Sequence, residues 1–283
     1  MSYAVVGHVE WIEFARVAHM PVAGEIIEAS DSFSEAAGSA AVAAVQLAKL
    51  AGEVDFFTAL GDDERGRRAA ERLRELGVTV HAARRAAAQR WAFVHLDDRG
   101  ERTITVVGER LVPRGEDALP WPRLDGADAV FVSGGDAGAM RQARRTRVLV
   151  ATPRAADSLA GIEVDALVGS GSDRLEQVAP LDPPPRLVVT TRGAAGGEWR
   201  GTEDRQGTYE AARVEGPIVD AYGAGDTFAG GLTYALGAGF EIAAALAFAA
   251  RCGAANLTGR GPYEGQLTAR SPQIPRSRPS AGG

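Results

Sequence analysis

The chain has 283 residues, 45% hydrophobic and 24% charged, a balance that suits a globular protein with a sizeable core. A formal net charge of −6 argues against a general nucleic-acid binder, and the single cysteine, Cys252, excludes an intrachain disulfide and a cysteine-cluster metal site. Lys49 is the only lysine and lies in an apolar helical run, so there is no Gly-x-x-x-x-Gly-Lys string and a P-loop kinase is excluded.

In chain order, the N-terminus runs directly into a strand-like Tyr3-Ala4-Val5-Val6-Gly7. Further strand-like runs are expected over residues 54–58, 129–133, 148–151, 165–168 and 187–191. Helical spacing falls over 39–50, 64–76, 137–146, 226–236 and 242–257. This alternation predicts an α/β fold, a mostly parallel sheet with helices on both faces. Residues 10–33 and 91–107 break the rhythm, the second with a turn at Asp97-Asp98-Arg99-Gly100. They read as strands of a small β-sheet that projects as a lid, with segments at about 10–35 and 88–108, or as a pair of edge hairpins. A single domain is expected over 1–267, followed by a disordered Ser/Pro/Arg/Gly-rich tail over 268–283. No run approaches membrane-spanning length, so the cytoplasm is the expected location and no membrane partner is expected.

The most informative stretch is Asp220-Ala221-Tyr222-Gly223-Ala224-Gly225-Asp226-Thr227-Phe228. Phe228, Leu232, Ala235 and Leu236 keep helical spacing, so a helix is expected to begin at or just after Asp226. Gly223, Ala224 and Gly225 then present bare N–H groups at its positive end, an arrangement that binds phosphate oxygens. A carboxylate beside a bound phosphate does not hold the anion. It fits a base that takes a proton from a hydroxyl attacking phosphorus, or a group that positions a metal. The same residues also fit a tight turn followed by an Asp N-cap.

The larger pattern resembles the C-terminal signature of the PfkB/ribokinase family of sugar and nucleoside kinases, Asp-Thr-x-Gly-Ala-Gly-Asp, with Ala221 in place of the threonine. Other residues fit the resemblance across residues 3–263: Gly7 after the first strand, Pro21 and Gly24 in the first lid segment, and Gly61-Asp62-Asp63-Glu64-Arg65-Gly66 opening a helix. It implies a ribokinase-like fold with a β-sheet lid, ATP and Mg2+ as cofactors, and a homodimer paired through lids. Asp226 becomes the general base and the 223–225 amides the anion hole. Thr191-Arg192-Gly193-Ala194-Ala195-Gly196 is similar to the family's Thr-x-Gly-x-x-Gly, which places Thr191, Gly193 and Gly196 at the nucleotide. Gly259 and Gly261 resemble the loop that borders the purine and a monovalent-cation site, to which Asp220 is a candidate contributor. Asp220 also reads as a turn-forming Asp.

The departures concern substrate and metal. The family's Gly-Gly-x-x-x-Asn appears as Ala37-Gly38-Ser39-Ala40-Ala41-Val42, so Gly38 stays and the sugar-binding asparagine is Val42. The usual aspartate of the first lid segment falls on Ile12. Neither side chain can hydrogen-bond a polyol. Glu10 is the candidate replacement carboxylate and Trp11 a candidate aromatic wall; a surface charge and a core tryptophan are the plainer readings. The metal-ordering Asn-x-x-Glu appears as Ser170-Gly171-Ser172-Asp173, which keeps oxygen ligands through Asp173 unless that residue only caps a helix. The expected function is ATP-dependent phosphorylation of a small sugar, polyol or nucleoside. The second reading is a catalytically weak or inactive metabolite-binding relative. A dinucleotide oxidoreductase fits poorly, because His8, Val9 and Glu10 follow Gly7.

Overall fold

The computed structural model describes residues 1–98, 102–178 and 180–271. In chain order its main elements are β1 (Tyr3–Val6), β2 (Glu10–Val17), β3 (Asp31–Ala37), α1 (Ser39–Ala51), β4 (Asp55–Gly61), α2 (Glu64–Glu75), β5 (Thr79–Arg85), β6 (Trp91–Asp97) and β7 (Arg102–Val107). They continue with β8 (Ala129–Val132), α3 (Ala137–Ala143), β9 (Leu149–Ala151), β10 (Ala166–Ser170), β11 (Leu187–Thr191), β12 (Gly197–Gly201), β13 (Gln206–Tyr209), α4 (Ala224–Gly237) and α5 (Ile242–Asn256).

Nine strands form one sheet in the order β13-β12-β11-β10-β9-β8-β1-β4-β5. Seven of them run parallel, and the β12–β13 hairpin adds two antiparallel strands at one edge. Side chains alternate across the pleat, so Tyr3 and Val5 pack into one core while Ala4 and Val6 pack into the other. The first core is covered by α1, α2, α4 and α5, the second by α3 and short 3-10 turns at Trp121–Leu124 and Pro153–Ser158. The expected α/β fold with helices on both faces is therefore present.

A second sheet of four strands, β3-β2-β6-β7, corresponds to the lid segments. It is mixed: β2 lies parallel to β6, and the outer pairs are antiparallel. Arg65 of α2 lies 4.7 Å over the Trp91 ring, Phe14 meets Tyr222 edge-on at 5.1 Å, and Tyr263 donates its hydroxyl to Ala36 O. The small sheet thus reaches the loop that carries Gly223. Of the expected turn at 97–100, Arg99 and Gly100 lie outside the described residues, as do 272–283 of the tail.

Four features differ from the sequence expectation. Helix α4 begins at Ala224, with Gly223 as N-cap at φ 78°, so Asp226 lies in the first turn. Helical spacing of apolar residues marks the buried stripe, and the first turn before it carries none. Strand β5 went unseen because Thr79-Val80-His81-Ala82-Ala83-Arg84-Arg85 alternates weakly, and the β12–β13 hairpin because three of its nine residues are glycine. Helix α3 ends at Ala143, after two turns.

A candidate active site at the strand carboxyl ends

In an open parallel sheet, ligands bind outside the carboxyl ends of the strands, where the strand order reverses. Here β1 has β4 on one side and β8 on the other, so the reversal lies at β1. Gly7 follows β1 at that point; a Cβ there would stand 2.5 Å from Ala40 Cβ and 2.6 Å from Ser133 Oγ. Only glycine lets α1 and the end of β8 come this close.

Asp226 stands at the crevice so formed. Among the described residues, the N–H groups of Gly223, Ala224 and Gly225 have no hydrogen-bond partner, while Thr227 N–H already bonds Gly223 O at 2.8 Å. These are the orphan donors of a helix start. A Cβ on Gly225 would meet nothing within 4 Å, so open space lies in front of the turn. Gly223 needs its left-handed backbone, and a Cβ there would press on Val42 Cγ1 at 3.1 Å. Val42 and Ile12 are both fully buried.

Burial raises the Asp226 pKa above the ordinary carboxylate range. The nearby Ser39 hydroxyl and the charges of Arg102 and Arg154 favour the ionised form, and Glu10 opposes it. Glu10 is itself held by Arg90 Nε at 2.6 Å and by His8 Nε2 at 3.5 Å. Its burial works against the charge, but His8 and Arg90 outweigh it and hold the carboxyl at about 2. Gly38 caps α1 beside this pair; a Cβ would lie 3.3 Å from His8 Nε2 and 3.5 Å from Glu10 Cγ. Gly38, Glu10 and Asp226 therefore share one crevice. Trp11 does not. Successive strand residues face opposite ways, so Trp11 turns to α2, where Arg68 covers its ring at 4.4 Å and Glu13 accepts its Nε1–H at 2.9 Å.

Asp220 is 1% exposed, and its oxygens accept the N–H of Tyr222 at 2.8 Å and of Gly261 at 3.1 Å. It ties the 220–222 turn to the 259–261 loop, and burial raises its pKa. Gly261 (φ 64°) and Gly259 are shaped by packing: a Cβ would meet the Phe33 ring at 2.9 Å and Gly265 N at 2.1 Å respectively. Asp173 accepts Leu175 N–H at 2.9 Å as a helix cap and pairs with Arg154 at 3.1 Å. Among the described residues, no group of three His, Cys, Asp or Glu side chains forms a metal cage.

Thr191 ends β11 and bonds Gly169 O at 3.2 Å. Gly193 opens onto free space, whereas a Cβ on Gly196 would strike Tyr209 O at 2.1 Å. Beyond this hairpin, a cavity of about 620 Å³ lies along α5, lined by Arg213, Ala247, Ala250, Arg251, Thr258 and Leu267. A smaller cleft of about 430 Å³ opens at the amino ends of β9, β10 and β11, away from Asp226, where Arg144 and Arg186 are paired with Asp165 and Glu163.

Sequence reasoning missed His8, Arg110, Arg154, Glu176 and Asn256. His8 had a signal, since it follows the glycine at the end of the first strand. Arg154 and Glu176 pair with each other near Asp226, and burial and Asp226 raise the Glu176 pKa.

A family model described as pfkB family carbohydrate kinase matches residues 2–162 and 159–269. The chain is 28% identical over 269 residues to an ATP-dependent ribose-1-phosphate kinase of Halopiger xanaduensis, covering 88% of this chain and 89% of that protein. Its fold is similar to that of Arabidopsis thaliana ribokinase complexed with ribose and ATP, with TM-score 0.74, 21% identity and coverage of 95% and 96% of the two chains. Giardia lamblia ribokinase gives 0.75 at 18% identity, with the same coverage of 95% and 96%. No helix of the described residues is long and apolar enough to cross a membrane.

Proposed function

Because the chain belongs to the pfkB family of carbohydrate kinases, we propose that it phosphorylates a hydroxyl of a small sugar, polyol or nucleoside with ATP, using Asp226 as general base. The observation that carries this reading is one helix turn bearing a carboxylate, three partnerless amides and open space in front of Gly225. Asp226 takes the proton of the attacking hydroxyl, and its raised pKa brings it closer to the working pH, where a base is most effective. The amides of Gly223, Ala224 and Gly225 face the charge that develops on the transferred group. When bound, ATP supplies the γ-phosphoryl group and Mg2+ neutralises its developing charge.

The residues present fit these groups. A hard cation held largely through water and phosphate oxygens needs few protein ligands, and Asp173 offers a carboxylate at the end of β10. Thr191, Gly193 and Gly196 lie toward the nucleotide phosphates and ribose, and the cavity along α5, beyond the loop of Gly259 and Gly261, takes the base. Asp220, with both oxygens already bonded, shapes this loop first; a monovalent cation beside it is part of the same reading. The four-stranded sheet acts as the lid that excludes water, pairs two copies into a homodimer, and works in the cytoplasm.

ADP release across a panel of sugars, polyols and nucleosides, with ribose 1-phosphate included because the Halopiger relative is named for it, tests the reading. Consumption of ATP that depends on an acceptor and disappears in Asp226→Asn is expected. Its absence with every acceptor would favour the second reading, a metabolite-binding relative, for which the engagement of Asp173 by Arg154 is the supporting observation.

A further inference from the structure

The loop over residues 258–265, after α5, touches two things at once. On one side Thr258 and Gly265 line the cavity along α5. On the other, Arg260 and Gly261 stand against β3, the edge strand of the small sheet. Arg260 Nε donates to Asp31 Oδ2 at 2.9 Å, and its Nη2 donates to Oδ1 at 2.8 Å and Oδ2 at 2.7 Å. The same guanidinium lies 4.1 Å over the Phe33 ring. A Cβ on Gly259 would stand 2.1 Å from Gly265 N, so the two limbs of the loop are packed too closely to slide past each other.

Contacts between the small sheet and the segments around Asp220 and Gly261 are of two kinds. In the middle they are aromatic: Phe14 stacks on Phe33 at 4.5 Å and meets Tyr222 edge-on at 5.1 Å. At the rim they are guanidinium bonds. Arg16 of β2 donates to Val219 O at 3.0 Å and Arg102 of β7 to Ala221 O at 3.1 Å, while Arg260 reaches the other way, onto β3. Of these three rim contacts, only the last joins opposite charges. Both of its side chains are 45% exposed. An exposed ion pair together with an exposed cation–π contact shifts an equilibrium by roughly 3- to 30-fold. That is too little to hold a fold together and enough to choose between two positions of a small sheet.

We propose that Arg260 is a latch: with Asp31 and Phe33 it docks the small sheet onto the 258–265 loop, and so couples docking of that sheet to occupancy of the cavity along α5. The latch rests on these contacts alone; the nucleotide as the cavity's occupant, and the sheet as a lid over the acceptor, rest on the kinase reading above. A ligand in the cavity bears on Thr258 and Gly265 and settles the loop in the position from which Arg260 reaches β3. By linkage, the docked sheet favours that ligand by the same factor. Arg260 acts through the loop and the sheet, as a positioning residue.

The test reads the position of the small sheet directly. Cys252 is fully buried, so cysteines introduced by Thr105→Cys on β7 and Arg141→Cys on α3, both exposed positions, take spin labels selectively. The distance between the labels gives the ratio of undocked to docked molecules. Arg260→Ala and Asp31→Ala should each raise that ratio roughly 3- to 30-fold. Asp31→Arg combined with Arg260→Asp should recover part of the loss, because the ion pair returns without the Phe33 contact. Raising the salt from about 0.05 M to about 0.5 M should undock the wild type and leave Arg260→Ala unmoved. A non-hydrolysable ATP analogue with Mg2+ should dock the wild type further and act less on Arg260→Ala. An unchanged ratio in both single variants, or an undiminished salt response in Arg260→Ala, overturns the latch. Equal action of the analogue on wild type and Arg260→Ala overturns the coupling. An Arg260-dependent ratio in a protein that neither responds to the analogue nor consumes ATP with any acceptor sustains the latch and removes the kinase reading. Acceptor-dependent ATP consumption with a ratio indifferent to Arg260 does the opposite.

Discussion

Asn256 holds the turn before α4 from behind: its Oδ1 accepts the Thr227 hydroxyl at 3.0 Å, and its Nδ2 donates to Tyr222 O at 2.8 Å. All of this is buried, so the end of α5 fixes both flanks of the turn that contains Gly223. Replacing Asn256 with Leu leaves the buried Tyr222 carbonyl unpaired, at about 1–3 kcal/mol, and leaves the Thr227 hydroxyl only its bond from Gln266 Nε2 at 3.2 Å. We expect a lower melting temperature and a reduced kcat; an unchanged melting curve would remove Asn256 from this role.

Asp226→Asn keeps the shape of the turn and removes the base. Turnover should fall ~10²–10⁴-fold while the melting temperature and ATP affinity stay close to wild type. The pH profile gives a second check. Burial raises the Asp226 pKa, so the carboxylate is lost at a higher pH than for an ordinary aspartate as the solution is acidified. The acid limb of kcat/KM should therefore stand above the usual aspartate range, and activity should be full only above it. A limb in the ordinary range would contradict the burial argument.

The two glycines of the turn should separate. Gly225→Val adds a side chain to open space within a helix, so stability should hold while turnover falls through obstruction of the phosphate. Gly223→Val must adopt φ 78° and press on Val42, so about 1–3 kcal/mol of stability should go as well. Thermal melts beside ADP-release kinetics distinguish the two, and wild-type kinetics in Gly225→Val would show that the turn does not approach phosphate.

Glu10→Gln removes the charge that faces His8 and Arg90. The KM for the acceptor should rise while the KM for ATP stays almost constant, because Glu10 lies in the crevice of Gly38 and Asp226, apart from the α5 cavity. Ribose itself should be a poor acceptor, since Val42 and Ile12 are fully buried and offer it no hydrogen bond. An acceptor KM indifferent to the change would leave Glu10 as a structural partner of Arg90.

The alternation of apolar runs and helical spacing determined the parallel sheet, and the run from Asp220 to Phe228 determined where α4 begins, to within two residues. Those features are local: a strand's burial, a helix's period and a glycine turn are each written in consecutive residues. The surroundings of Asp226 were decided by tertiary structure alone. His8, Arg110, Arg154 and Glu176 belong to four separate connections, and no spacing relates them until the sheet brings the ends of β1, β8, β9 and β10 side by side. The same reason separates Glu10 from Trp11. They are neighbours in sequence, but the strand pleat sends one to the crevice and the other to α2. Charge matching is likewise invisible in a chain of 31 basic residues, because which arginines pair with carboxylates depends on distances that only the packed molecule sets.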